Sequence, residues 1–228
     1  MRLFFCYRNS LLLLLLFSVF VACHVRQNNN TKKVKLSSAA AAEVKRLNDT
    51  LFQVLRMPLP LGEARDVHRE KSYITRILAI DSLDGSTLYL QAQIYAKLGF
   101  YDSAIAVLTK GLDEHLPLAS RWLMFRGALY ENRQQQPAAY ADYARIKAIA
   151  RQMQDTASNT ISRGNALCSL HFVNMMMGAG KSEELIVYKA EAIKAGISPT
   201  DKTFLDGQKI LMLFNKERFL ADFKRGNL

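Results

Sequence analysis

The chain is short of the residues that build most catalytic, metal and cross-linked sites. It has three cysteines, Cys6, Cys23 and Cys168, and four histidines, His24, His68, His115 and His171. No two histidines lie four residues apart, and no cysteine/histidine set has zinc spacing. Cys168 and His171 share a helix face three residues apart, but two ligands need partners from elsewhere to hold a metal. No Gly-x-Ser-x-Gly elbow occurs, so the local signature of an α/β-hydrolase nucleophile is missing. The carboxylate pairs Asp113/Glu114 and Glu183/Glu184 are adjacent, so on a helix they diverge instead of facing one substrate. No stretch alternates apolar and polar residues as a half-buried strand would. Prolines are few, at 58, 60, 117, 137 and 199. They punctuate a chain otherwise rich in Ala, Leu, Lys, Arg and Gln, the residues that favour helix. These absences point to an all-α protein without a catalytic residue set, resident metal or cofactor.

One stretch argues the other way. Residues 175–184 read MMMGAGKSEE, and Gly180-Lys181-Ser182 looks like the end of a phosphate-binding loop. Such a loop needs a first glycine five residues before the second, so that backbone N–H groups wrap the phosphates. That place is Met175. The stretch reads better as a turn in which Gly178 ends one helix and Ser182 caps the next. Glu183 and Glu184 then suit that helix's positive first turn. Nucleotide is therefore not expected.

At the N-terminus Arg2 and Arg8 precede LLLLLLFSVFVAC. This basic segment and apolar run of about a dozen residues have the layout of a secretory signal, and the run is short of the roughly 20 residues that span a bilayer comfortably. The end of the run, VFVAC, resembles the lipobox of bacterial lipoproteins, with Phe20 where leucine is usual. The resemblance implies a signal peptide over 1–22, removal of that peptide and acylation of Cys23, for example with palmitate. Residues 23–37 would be a polar, basic tether. More than one acyl chain holds firmly at about 0.8 kcal/mol per buried methylene. The alternative is an uncleaved anchor using Leu3–Val25. Either way the bulk of the chain is expected outside the cytoplasm, in the cell envelope, with the membrane and leaflet open. Cys168 would then be the one cysteine left without lipid, so no internal disulfide is expected, and its apolar neighbours suit a buried thiol.

The net charge is +11, with 31 basic and 20 acidic residues. Losing Arg2 and Arg8 lowers it to +9. A basic surface suits anionic lipid, but these charges are dispersed, as on a solvated helical surface. Nucleic acid is not expected as a partner.

Residues 85–117 read GSTLYLQAQIYAKLGFYDSAIAVLTKGLDEHLP. Counting from Gly85, small residues fall at eight (Ala92), twenty (Ala104) and twenty-seven (Gly111), with a turn glycine at fifteen (Gly99). Large residues fall at eleven (Tyr95), seventeen (Tyr101) and twenty-four (Leu108). Small sites let two helices cross closely, and Gly99 accepts a left-handed helix end. Counting from Ser120, 35 residues on, Gly127, Tyr130, Ala139 and Tyr143 take the same places and Gln134 replaces the turn glycine. This pattern resembles the tetratricopeptide repeat (TPR), a helix-turn-helix unit of about 34 residues. The clearest units cover 85–118 and 120–151. A degenerate unit over 164–197 has Leu167, Gly178, Val187 and Ala190 in register, with His171 and Asn174 at positions eight and eleven. Upstream, helical spacing predicts helices over Ser38–Met57 and from about Gly62 to Ile80. QMQDTASNTISR reads as a polar insertion. A final pair, about Thr200–Phe214 and Lys216–Lys224, would cap the array.

The resemblance implies a right-handed α-solenoid over 38–228, with a C-terminal capping pair and a concave groove lined by the first helix of each unit. Positions two, five, nine, twelve and thirteen face that groove. In the first unit they are Ser86, Tyr89, Gln93, Ala96 and Lys97. In the second they are Arg121, Met124, Ala128, Glu131 and Asn132. This set lacks the clamp by which chaperone-type repeats grip a C-terminal carboxylate. A binding role for the convex face or Trp122 is the alternative. The expected function is a membrane-anchored, non-catalytic scaffold for another envelope protein. The other possibility is an accessory envelope enzyme or a small-ligand or glycan-binding lipoprotein built around Cys168 and His171.

Overall fold

The structure, a computed structural model, describes residues 36–56, 67–116 and 119–224. The described residues form ten helices and no strand. In chain order these are α1 Ser38–Arg56, α2 Val67–Ile80, α3 Gly85–Lys97, α4 Tyr101–Asp113, α5 Ala119–Asn132, α6 Gln136–Thr156, α7 Thr160–Met176, α8 Lys181–Lys194, α9 Lys202–Leu213 and α10 Lys216–Lys224. The signal peptide and nearly all of the tether lie outside the described residues, as does the start expected for the second helix. The described residues divide into two compact units, one ending at Pro117 and one beginning at Leu118.

In the first unit each helix packs on the next, α1 on α2, α2 on α3 and α3 on α4. The apolar spacing of α1 buries Val44, Leu47 and Leu51 against Ile74 and Ile77 of α2 and Ile94 of α3. This is how a short amphipathic helix becomes stable, since packing and not propensity supplies most of its free energy. The α2–α3 turn is held by carboxylates: the Leu83 N–H donates to Asp81 Oδ1 at 3.1 Å, and the Thr87 N–H to the N-cap Asp84 at 2.8 Å.

In the second unit α5 packs on α6, α6 on α7, α7 on both α8 and α9, and α8 on α9, while α10 returns to α5. Helix α7 is the centre, with every residue from Gly164 to Val173 buried. A helix apolar all round is a fully enclosed one. Glycines set the close crossings. A Cβ on Gly127 of α5 would stand 2.5 Å from Cε1 of Tyr143 on α6. A Cβ on Gly164 would collide with Thr203, and one on Gly207 with the Tyr188 ring.

The helix ends repeat one device. Gly99 has φ +80°, and the Phe100 N–H reaches back to the Tyr95 carbonyl at 2.8 Å. Thirty-five residues later Gln134 has φ +60°, and the Gln135 N–H reaches the Tyr130 carbonyl, again at 2.8 Å. His115, Gly178 and Gly196 close their helices in the same left-handed region. These bonds satisfy carbonyls that a helix end leaves without partners.

Three local expectations are corrected. The stretch QMQDTASNTISR is no insertion: α6 runs on to Thr156, α7 starts at Thr160, and Asn159 caps it by accepting from the Ser162 N–H at 2.8 Å. Arg163 holds the short link, donating to the Ala157 carbonyl at 3.2 Å and the Ala195 carbonyl at 2.8 Å. The residue capping α8 is Gly180 in an extended conformation, and Ser182 lies inside the helix. That helix starts one residue later after its left-handed turn than α4 and α6 do after theirs, which rotates its face. Tyr188 and Ala192 are therefore buried, whereas Val187 and Ala190 point outward.

Candidate functional site

Helix α3 places Ser86 and Lys97 at the surface, leaves Gln93 half-buried and buries Tyr89 and Ala96. One stripe of the helix therefore supplies a hydroxyl, an amide and a cation around an aromatic ring. Helix α5 behaves differently. Met124 and Ala128 are buried, and Arg121, Glu131 and Asn132 are half-buried. Trp122 is only 2 % exposed, so it serves the core and offers no outer binding surface.

The C-terminal half of α5 is covered by α10. The Lys216 ammonium meets Glu131 Oε1 at 2.9 Å and donates to the Met176 carbonyl at 2.5 Å. It also stands 5.8 Å from the centre of the Tyr140 ring, inside cation–π range. The Asn132 amide donates to the Leu220 carbonyl at 3.3 Å. Phe219 packs edge-on against Phe172, with centroids 5.5 Å apart, and near Phe214 at 6.0 Å. Two of the three polar side chains expected to meet a partner on α5, Glu131 and Asn132, are thus already gripped from within the chain. Burial, reinforced by the Glu131 charge, holds the neighbouring Tyr143 phenol far above its ordinary range.

On the other side of α5 and α6, Arg126 and Asp142 form a two-pronged pair, Nε to Oδ2 at 2.8 Å and Nη2 to Oδ1 at 2.7 Å. The geometry is the planar fork that suits guanidinium to carboxylate. Both side chains are nearly dry, and they join the two helices without leaving either charge free for a ligand.

Cys168 and His171 do not converge. The Cys168 thiol faces the Gly207 carbonyl of α9 at 3.9 Å. The His171 ring is held by α8, with Nδ1 at 2.5 Å from Glu184 Oε2 and Nε2 at 3.3 Å from Glu191 Oε2. Asn174 donates to the same Glu184 oxygen at 3.0 Å. The two carboxylates were the missing partners of this histidine, and sequence inspection did not connect them. His171 is itself buried, so the arrangement pins α7 to α8 with little access for a substrate. Among the described residues no group of three or more His, Cys, Asp or Glu is arranged to hold a metal ion.

The Gly180-Lys181-Ser182 stretch follows α7, a helix, where a phosphate-binding loop would follow a strand. Its Lys181 ammonium donates to the Met212 carbonyl at 3.1 Å, tying α8 to α9. Cys23 lies outside the described residues. No helix among the described residues is long and apolar enough to cross a membrane. No protein-family model, curated protein or solved structure matches the chain.

Proposed function

We propose that the chain is a lipid-anchored TPR-type scaffold of the bacterial cell envelope. In this reading it is a right-handed solenoid of helix hairpins that binds another envelope protein through the inner faces of its first helices, chiefly α3 and α5, and performs no chemistry itself. The observation that carries the reading is the recurrence of one hairpin. Helices α3–α4 and α5–α6 turn at Gly99 and Gln134, 35 residues apart, with the same left-handed residue and the same pair of closing hydrogen bonds. Ala92 and Leu108 in the first hairpin hold the places of Gly127 and Tyr143 in the second, and all four are buried. Repeating hairpins of this kind present extended surfaces to partners. Anchoring rests on the lipobox-like VFVAC and Cys23.

The test is crosslinking in intact cells, followed by purification from detergent-solubilised membranes. The reading expects one defined envelope partner, and expects Lys97→Glu with Arg121→Glu to remove its crosslink while the melting curve is kept. Unchanged crosslinks in the folded double variant would overturn the assignment of the binding face. Cys23→Ala should abolish acyl labelling and release the protein from the membrane, and persistent labelling would overturn the lipid anchor. The rival, an accessory enzyme or ligand-binding lipoprotein, draws on His171 with its two carboxylates. Thermal-shift screening against metals, nucleotides and glycans separates the two, and stabilisation by any of them would favour the rival.

A further inference from the structure

Helix α10 has nine residues, below the length at which a helix stands alone in water. Its order therefore depends on what it lies against. What it lies against is the C-terminal half of α5, one of the faces assigned above to a partner, together with Tyr140 of α6 and Phe172 and Met176 of α7. Its grip comes from the Lys216 and Phe219 side chains, at the i, i+3 spacing by which a helix meets a groove, and from the Leu220 carbonyl. The residues between, Glu217 and Arg218, are exposed.

The receiving surface has a definite chemistry. At its base is Glu131, a carboxylate only 8 % exposed. A charge so nearly dry needs a cation, because an unpaired one is costly to bury. Beside it the Tyr140 ring and the Met176 carbonyl present further negative potential to the same ammonium. One step along, Phe172 and Phe214 form an aromatic wall. The Asn132 amide donates to a helix carbonyl, that of Leu220. These groups together read a basic residue, an aromatic three residues later and a backbone oxygen after that.

We infer that this face of α5 is a docking site for a short amphipathic helix of a partner protein, bearing Lys or Arg followed at i+3 by an aromatic, and that α10 is its built-in competitor. The inference rests on the scaffold reading and names the partner's recognition element within it. When α10 is docked the α5 face is closed. When a partner helix replaces it, the same Glu131, Asn132 and Phe172 are satisfied in trans.

The experiment uses a fluorescent peptide with the chain's own sequence over 216–228 and the full chain in detergent micelles, read by anisotropy. Lys216→Glu with Phe219→Ala in the full chain releases α10, since it sets a carboxylate against Glu131 and removes the buried ring. The released chain should bind the peptide at least about tenfold more tightly than the unaltered chain, the gain expected when a face that is about nine-tenths self-occupied is freed. Glu131→Gln added to the released chain should remove most of that gain, and a peptide carrying the same two substitutions should not bind. A chain stopped after Asn215 provides a second route to an open face. If either folded variant fails to bind the peptide more tightly than the unaltered chain, the inference is overturned. If both variants lose their cooperative melting transition, α10 is an integral part of the core and the inference is likewise overturned. Partner crosslinks that survive such a failure would leave the scaffold reading standing. Peptide binding without any partner crosslink would do the reverse.

Discussion

The crossing of α5 and α6 gives the sharpest test of how this sequence specifies its packing. A Cβ on Gly127 would lie 2.5 Å from Tyr143 Cε1 and 3.1 Å from two more ring atoms, where ordinary contact begins at 3.4 Å. The ring is fully enclosed, so it has to be displaced by about an ångström into well-packed surroundings. Overpacking of this kind costs roughly 1–3 kcal/mol. Alanine recovers about 1 kcal/mol over glycine in a helix interior, so the net loss for Gly127→Ala is about 0–2 kcal/mol. The first hairpin shows the remedy: Ala92 and Leu108 stand where the second has Gly127 and Tyr143. Tyr143→Leu alone opens a cavity and loses stability, but in combination with Gly127→Ala it should cost about 1 kcal/mol or more less than the two single losses added. Urea denaturation of the four proteins measures the cycle. A Gly127→Ala protein more stable than the parent, or strict additivity in the cycle, would refute the close-crossing argument.

Other outcomes follow from single contacts. Gln134→Gly should raise stability by about 0.5–1 kcal/mol, because a side-chain-bearing residue in the left-handed region costs about 1–2 kcal/mol and glycine returns part of that through chain entropy; thermal melting decides it. Asp142→Ala should cost about 3 kcal/mol by stranding the Arg126 guanidinium, whereas Arg126→Met with Asp142→Leu should come close to neutral; urea midpoints that rank these two the other way would contradict the buried pairing. Desolvation raises the Tyr143 and Tyr188 phenols well above 10.0 in the folded chain. Their stabilising contribution is therefore whole below pH 10 and declines above it, by about 1.4 kcal/mol per pH unit for each phenol. Tyrosinate absorbance should show two phenols that ionise only on unfolding, and their titration in the folded chain along with the rest would contradict the burial.

The helices were legible because their information is local. Apolar spacing in α1, the turn at Gly99 and the pairing of small with large residues in the two hairpins are visible within a few tens of residues. What escaped was set by distance or by burial. Helix α7 is buried on every side from Gly164 to Val173, and the polar edge of His171 and Asn174 meets Glu184 of α8 instead of solvent, so the pattern of LHFVNMMM does not tell an outer face from an inner one. The start of α8 lies two residues before the expected one because Gly180 and Ser182 are both competent caps, and the extended backbone at Gly180 decides between them. His171 finds Glu184 and Glu191 on the next helix, a contact that becomes visible only when the register of α8 is fixed. The engagement of Glu131 and Asn132 by α10 joins residues 88 positions apart in the case of Asn132 and Leu220, and nothing in either segment announces the other. The anchor at Cys23 and the signal over 1–22 lie outside the described residues.

The return of α10 to α5 also fixes an order of events. A chain is made from its N-terminus, so Glu131 is present long before Lys216. Until residues 216–220 emerge, the near-dry carboxylate has no ammonium opposite it and the Phe172 wall has no third ring. A chain made only as far as Asn215 therefore carries an acidic, aromatic notch that residues 216–220 later close. During that interval the surface proposed above as a docking site is uncovered.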